Sequence, residues 1–179
     1  TVVCNLGVNA ATIDLKVLII DANLRRPAIH RIFGVQEGPG LGDVLKGKAA
    51  LEDALQRTDV SNLTVLSVGI DREHAYERFN TSVMTELLRR AGEMFDLILI
   101  DAPPAVVSGD AVALISQADA VALVVRAYSE KRGLVARVRN QFGESKAEFL
   151  GVVVNAVRSS AGGYFKRNFQ ATMAYQQNG

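Results

Sequence analysis

The sequence has 179 residues, of which 49% are hydrophobic and 22% are charged, and its formal net charge at pH 7 is +1. This length fits one α/β domain whose folding removes about 70% of the unfolded surface from water. The near-neutral charge gives no electrostatic reason to expect nucleic-acid binding, the single cysteine, Cys4, excludes an internal disulfide, and no apolar run approaches the ~20 residues that a membrane-spanning helix needs.

The first predicted element is a helix, because apolar residues recur at helical spacing in residues 1–13. The next run, Val17–Asp21, has four apolar residues that end on an aspartate, which predicts a strand buried on both faces of a parallel sheet. The elements expected after it are a turn-rich loop at 33–43, short helices near 44–45 and 49–56, a strand at 63–67 and an irregular segment at 69–81.

The second half alternates between the same two kinds of pattern. An amphipathic helix begins at Ser82, and a second apolar run that ends on an aspartate, Asp101, predicts a strand over 96–101. We expect a small helix at 111–116, and then two buried strands at 120–125 and 149–154 that flank a basic helix at 131–142. This order predicts an α/β fold with a doubly wound, mostly parallel sheet and helices on both faces.

The domain organisation is expected to be simple. Residues 1–158 form the α/β domain, and residues 159–179 form a flexible tail because they are rich in glycine and polar residues and lack a strong period. No internal repeat is visible.

Two predicted strands end in an aspartate, Asp21 and Asp101. Ligands of open α/β sheets bind beyond the carboxyl ends of the strands, so both carboxylates are expected at one shared site. The alternative for each aspartate alone is that it begins a turn or caps a helix.

A parallel sheet of this kind normally begins with a strand, whereas the first element here is a helix. No G-x-x-x-x-G-K-[ST] loop occurs in the sequence. We expect the first strand and the phosphate-binding loop to precede Thr1, which is either the last hydroxyl residue of that loop or the one after it. We therefore expect residues 1–179 alone to be inactive, with negligible affinity for ATP.

Several runs together resemble a known family. VLIIDANLRRP, GPGLGDVLKG, NLTVLSVG, FDLILIDAPP, DAVALVVRA and LGVVVNAV are similar, in this order and spacing, to the cytoplasmic domain of bacterial tyrosine kinases of capsule and exopolysaccharide synthesis. These kinases belong to the P-loop ATPases with deviant Walker motifs. The resemblance implies a P-loop NTPase-like nucleotide-binding domain in an ATP- and Mg²⁺-dependent protein-tyrosine autokinase that regulates polymerisation and export of the polysaccharide.

The resemblance also implies roles for individual residues. Asp101 corresponds to the Walker B carboxylate that binds Mg²⁺, and Asp21 to the first acid of the Walker A-prime motif, which acts on the metal or accepts the tyrosine proton. Arg25 and Arg26 follow within one turn, and Arg25 is expected to reach a phosphate or the incoming tyrosine segment, while a solvated face or an ion pair is the alternative for Arg26. Thr1, Asn155 and Arg158 are assigned to nucleotide binding, with a strand-end turn as the alternative for Asn155.

The sequence departs from the family pattern at three places, and one of them is the segment 70–80, which lacks the Asn-Pro-x-Glu-Leu-Leu run of the family and stays unassigned. Asn23 occupies the position of a second catalytic aspartate, and a neutral amide can bind a water on Mg²⁺ but cannot act as a base. The family's tail carries clustered tyrosines as phosphate acceptors, whereas here the tail has Tyr164 and Tyr175. A non-kinase ATPase of the partition or division-site type, or a catalytically weak regulatory relative, is therefore the alternative function.

The resemblance further implies partners and a location. The expected partner is a membrane-anchored regulator of polysaccharide chain length, and the protein is expected to form homo-oligomers. Its expected place is the cytoplasm, at the inner face of a bacterial plasma membrane, through that partner or a fused membrane segment.

Overall fold

The computed structural model describes residues 2–105, 109–127 and 145–157, together with Gly133, Val135, Val138, Asn140 and Phe142. The helices are α1 Val2–Ala11, α2 Ile29–Phe33, α3 Leu41–Leu45, α4 Leu51–Ala54, α5 Ser82–Gly92, α6 Asp110–Ile115 and a 3₁₀ helix at Ala75–Arg78. The strands are β1 Val17–Asp21, β2 Leu55–Arg57, β3 Leu63–Leu66, β4 Leu97–Asp101, β5 Ala120–Arg126 and β6 Glu148–Asn155. None of the helices in this described part combines the length and apolar character that crossing a membrane requires.

Four of the strands form one sheet in the order β2-β3-β1-β4. The central strand β1 is parallel to both β3 and β4, and only the short edge strand β2 is antiparallel. All five residues of β1 are buried, as its run of apolar residues predicts. The prediction of an α/β fold with a mostly parallel sheet is therefore confirmed.

Helices cover both faces of this sheet. Val17 and Ile19 of β1 pack in a cluster with the buried residues of α1, and a Cβ on Gly7 of α1 would collide with the Ile19 side chain. Leu18 and Ile20 point to the other face, where they pack with residues of α3, α4 and α5. The alternation follows from the two-residue period of a strand.

The last two strands differ from the prediction. β5 and β6 pair with each other in a separate two-stranded parallel sheet, and they are not buried strands of one continuous sheet. Among the described residues, a small cluster around Ile115, Val138 and Phe142 covers one face of the pair, so residues along β5 alternate between exposed and half-buried. The prediction of two buried strands was wrong here, because an apolar run does not specify which elements lie beside a strand or cover its faces. β4 is likewise only half-buried, since β1 is its one described neighbour.

Three short elements were missed. The predicted helix over 49–56 ends at Ala54, and the chain continues as β2. The loop after β1 contains α2, and the segment predicted as irregular contains the 3₁₀ helix, in which Ala75 is buried. The prediction of a basic helix at 131–142 falls mostly outside the described residues, and the five that are described there are helical.

Candidate functional site

The carboxyl ends of β1 and β4 place Asp21 and Asp101 side by side. The two aspartates are register partners in the parallel pair, at the last residue of each strand. The backbone nitrogen of Ala22 donates a hydrogen bond to the carbonyl oxygen of Asp101 at 3.1 Å, so the pairing continues where the two loops begin. The sequence prediction that both aspartates reach one edge of the sheet is therefore confirmed in the geometry of the backbone.

The carboxylate of Asp21 is fully buried and bound by backbone groups. One oxygen accepts a hydrogen bond from the nitrogen of Asn23 at 3.2 Å, and the other accepts from the nitrogens of Ala28 and Ile29, each at 3.1 Å. The amides of Ala28 and Ile29 belong to the start of α2, so Asp21 satisfies backbone donors that this helix leaves free. The alternative expected for this residue, a helix-capping role, is thus present in the structure, and it fixes the loop between β1 and α2 around the carboxylate.

Asp101 has a different environment. Burial, and then the negative charge of Asp21, raise the pKa of its carboxyl group to about 6. Both causes disfavour the ionised form, the first because the group loses water and the second because two like charges are close together. A cation bound between or beside the two carboxylates would reduce the repulsion between their charges.

The donor set fits a magnesium ion. Mg²⁺ prefers oxygen ligands, keeps several waters, and is commonly bound by one or two carboxylates together with substrate phosphates. Among the described residues no group of three or more histidine, cysteine or acidic side chains could bind a metal ion. Two carboxylates with no third such side chain grouped with them among the described residues therefore match Mg²⁺, which takes its other ligands from water and phosphates, better than they match a closed structural metal site.

The loop after β1 carries the other predicted residues at this edge. The side-chain oxygen of Asn23 accepts a hydrogen bond from the backbone nitrogen of Arg26 at 3.3 Å, which tightens the turn. The guanidinium of Arg25 lies 3.9 Å, Nη2 to Oδ2, from the carboxylate of Asp110 at the start of α6. Arg25 thus forms an ion pair at this edge, and its side chain is still 65% exposed.

Asn155 lies in the two-stranded sheet. It ends β6 opposite Arg126 of β5, and its side-chain oxygen accepts a hydrogen bond from the nitrogen of Ala156 at 2.8 Å. Ala156 has a positive φ of 56°, so Asn155 forms the strand-end turn that was its alternative. No hydrogen bond or ion pair of the described residues brings it to Asp21 or Asp101. The predicted residues Thr1, Arg158, Tyr164 and Tyr175 lie outside the described residues.

Sequence reasoning missed a polar connection beside this edge of the sheet. Asp43, at the N-terminal turn of α3, is buried, and one carboxylate oxygen accepts hydrogen bonds from the nitrogens of Gly40 and Ile70, at 3.0 and 3.1 Å. Its other oxygen accepts from the nitrogen of Asp71 at 3.3 Å. The carboxylate joins the loop that precedes α3 to the loop that follows β3, and β3 is the neighbour of β1.

The glycines around Asp43 allow the two loops to approach this closely. A Cβ on Gly40 would meet the backbone of Ser67 and Gly69, and a Cβ on Gly69, whose φ is 88°, would meet the Asp43 carboxylate. The run GPGLGD at residues 38–43 is part of the family resemblance and also contains Gly40 and Asp43. Its glycines and aspartate, read together with the SVGID run that follows β3, were the signal of this contact.

Comparisons with known proteins point in one direction. A family model described as AAA domain, AAA_31, matches residues 1–142. The tyrosine-protein kinase YwqD of Bacillus subtilis (strain 168) is 32% identical over 160 residues, which are 89% of this chain and 68% of the relative. The tyrosine-protein kinase ptk of Acinetobacter johnsonii is 33% identical over 161 residues, and there the chain spans 22% of the relative's length.

Solved structures of a tyrosine kinase domain and of a septum site-determining protein have similar folds. The kinase domain of the Escherichia coli tyrosine kinase ETK superposes with a TM-score of 0.81 at 27% identity, covering 89% of this chain and 63% of that one. The septum site-determining protein MinD of Pyrococcus horikoshii, in complex with Mg-ADP, superposes with a TM-score of 0.75 at 25% identity, covering 89% of this chain and 65% of that one.

Proposed function

This chain belongs to the AAA-domain family and, within it, to the bacterial tyrosine-protein kinases, and on that premise we propose that the protein is an ATP- and Mg²⁺-dependent protein-tyrosine autokinase of capsule or exopolysaccharide synthesis. The observation that carries the proposal is the register pairing of Asp21 with Asp101 at one edge of the sheet. The relatives that are named tyrosine-protein kinases, and the similarity to a protein that was solved with Mg-ADP, support it.

Bound Mg-ATP supplies the transferable group: a bond forms between a tyrosine oxygen and the γ-phosphorus while the bond to the β–γ bridging oxygen breaks, and ADP leaves. In this proposal Asp101 binds the metal, directly or through water, because the Asp21 carboxylate already accepts three backbone hydrogen bonds. Asp21 keeps the loop after β1 in place and orients water on the metal or accepts the tyrosine proton. Asn23, being neutral, can only orient water.

The remaining residues have supporting roles in the same proposal. Arg25 contacts a phosphate, and a guanidinium suits this task because its planar donors match phosphate oxygens. Thr1, Asn155 and Arg158 contact the nucleotide, and Tyr164 and Tyr175 accept the phosphoryl group from a neighbouring copy in a homo-oligomer. The partner is a membrane-anchored regulator of chain length, which recruits the kinase to the inner face of the plasma membrane.

The experiment uses the complete gene product, purified and freed of phosphate with a phosphatase. Incubation with Mg-ATP is expected to give phosphotyrosine that mass spectrometry maps to Tyr164 or Tyr175. Asp101→Asn should lower the rate about 100-fold, because a catalytic metal ion contributes several kcal/mol to the transition state. Asp53→Asn, which removes the same charge from an exposed position on α4, is the matched control and should leave the rate unchanged.

The same experiment separates the proposal from its alternative. ATP turnover without phosphotyrosine would show a nucleotide switch of the division-site type and would contradict a kinase. A phosphotyrosine signal that Asp101→Asn leaves intact would contradict the assigned site.

A further inference from the structure

Two loops begin at the candidate site from neighbouring strands, and an ion pair joins a residue of the first loop to the helix that follows the second. Arg25 follows Asp21 in the loop after β1, and Asp110 follows Asp101 as the first residue of α6. The backbone hydrogen bond from Ala22 to Asp101 connects the two loops at their base, and the contact of Arg25 with Asp110 connects them further out.

The two members of this ion pair are held to different degrees. The side chain of Asp110 is 17% exposed, whereas that of Arg25 is 65% exposed. Asp110 lies in the first turn of α6, where a negative charge is favourable for the helix whether or not an arginine is near. The aspartate is therefore the fixed member, and the arginine is the member whose orientation depends on the pair.

The pair contributes little to stability. A separation of 3.9 Å and an exposed guanidinium are typical of surface ion pairs, which have small effects on folding. The position of the backbone of Arg25 is set instead by the hydrogen bonds that Asp21 and Asn23 make within the same loop. What Asp110 adds is a preferred direction for the arginine side chain.

We propose that Asp110 is a positioning residue that holds the Arg25 guanidinium at the mouth of the aspartate pair, ready to bind a phosphate of the nucleotide. The inference rests on the proposed function, because it assigns a ligand to Arg25. A guanidinium has five N–H donors, so a contact with Asp110 through Nη2 leaves other donors for phosphate oxygens. Orienting the arginine before the ligand arrives lowers the entropic cost of the phosphate contact.

A double-mutant cycle on the complete gene product tests this role. Asp110→Asn is expected to lower kcat for tyrosine phosphorylation roughly two- to fivefold, the range of an exposed ion pair, and to have no further effect when Arg25→Ala is already present. The same factor in both backgrounds would overturn the proposal, because Asp110 would then act without Arg25. In the control cycle with Arg26→Ala, the effects of the two substitutions are expected to multiply.

A second measurement does not depend on activity. Phenylglyoxal modifies arginines, and mass spectrometry of the nucleotide-free protein can compare Arg25 with its neighbour Arg26. Asp110→Asn is expected to speed modification of Arg25 roughly two- to fivefold and to leave Arg26 unchanged. An unchanged rate at Arg25 would overturn the positioning role, whereas absence of phosphotyrosine from the unsubstituted protein would overturn the proposed function and leave this comparison valid.

Discussion

Asp21 and Asp101 are register partners at the ends of two adjacent parallel strands, yet only Asp21 has its carboxylate bound by three backbone amides. Asp101 instead has a pKa of about 6, raised by burial and by the charge of its neighbour. One aspartate thus stabilises the loop, and the ionised form of the other is disfavoured by burial and by its neighbour's charge, so the predictions for the two residues differ.

Asp101→Asn is expected to stabilise the cation-free protein above pH 6. A carboxyl group with a raised pKa binds more protons in the folded state, so its unfavourable contribution is absent below about pH 4 and complete above about pH 6. Asparagine removes that cost, and the free energy of unfolding at pH 7 should rise by roughly 1–3 kcal/mol. Urea denaturation at pH 4 and pH 7 measures the effect, and equal stability of both proteins at pH 7 would contradict it.

Asp21→Ala is expected to have the opposite effect on stability. It leaves the amides of Asn23, Ala28 and Ile29 without their acceptor in a buried place, which should lower the free energy of unfolding by about 2–4 kcal/mol. Hydrogen exchange should show faster exchange at the amides of Ala28 and Ile29. Protection at those amides as in the unsubstituted protein would contradict the role of Asp21.

The coupling between the two carboxylates can be measured directly. Asp21→Asn keeps an acceptor oxygen but removes the negative charge that raises the pKa of Asp101. Carboxyl carbon-13 NMR should therefore show the pKa of Asp101 falling in the variant, while burial keeps it above the ordinary value. An unchanged pKa would mean that the two groups are farther apart than their register implies.

Asn23→Asp introduces an acidic side chain at the position where the family resemblance implies a second aspartate. The substitution keeps an oxygen that can accept from the Arg26 amide, so the turn should persist. The added charge should lower the Mg²⁺ concentration for half-maximal activity roughly fivefold. Asn23→Ser is the control, because it keeps an oxygen near the amide without adding a charge, and an equal shift in both variants would refute the electrostatic explanation.

The two loops joined by Asp43 give a prediction on stability alone. Gly40→Ala should lower the free energy of unfolding by about 2 kcal/mol or more, because its Cβ would meet the backbone of Ser67 and Gly69. Gly92, the last residue of α5, has open space around its Cβ position, and Gly92→Ala should raise stability by about 0.5–1 kcal/mol. Thermal unfolding of the two variants compares a crowded glycine with an open one.

The sequence predicted the centre of the fold better than its margins. β1 was predictable because four apolar residues before an aspartate match a strand covered on both faces, and the shared edge of Asp21 and Asp101 followed from parallel pairing. β2 was missed because three residues, two of them polar, carry no period. The separation of β5 and β6 was missed because an apolar run indicates that a strand can be buried, but it does not indicate which strands or helices cover that strand.

The site was predictable in its residues and less so in their contacts. Strand ends and the LRRP run identified Asp21, Asn23 and Arg25. The amides that bind the Asp21 carboxylate come from residues seven and eight positions later, through the chain reversal into α2, and no local pattern encodes that return. The contact of Arg25 with Asp110 joins residues that follow two different strands, so it becomes visible only when β1 and β4 are adjacent.

In the proposed function, Asp21 and Asp101 together face one magnesium ion that carries the phosphates of a nucleotide. A crystal structure of the complete gene product with Mg²⁺ and a non-hydrolysable ATP analogue tests it most directly. The ion is expected at the carboxyl edge of β1 and β4, bound to the Asp101 carboxylate directly or through one water, with the Asp21 carboxylate reached through a water. An ion and phosphates located away from this edge, with both carboxylates unchanged, would contradict it.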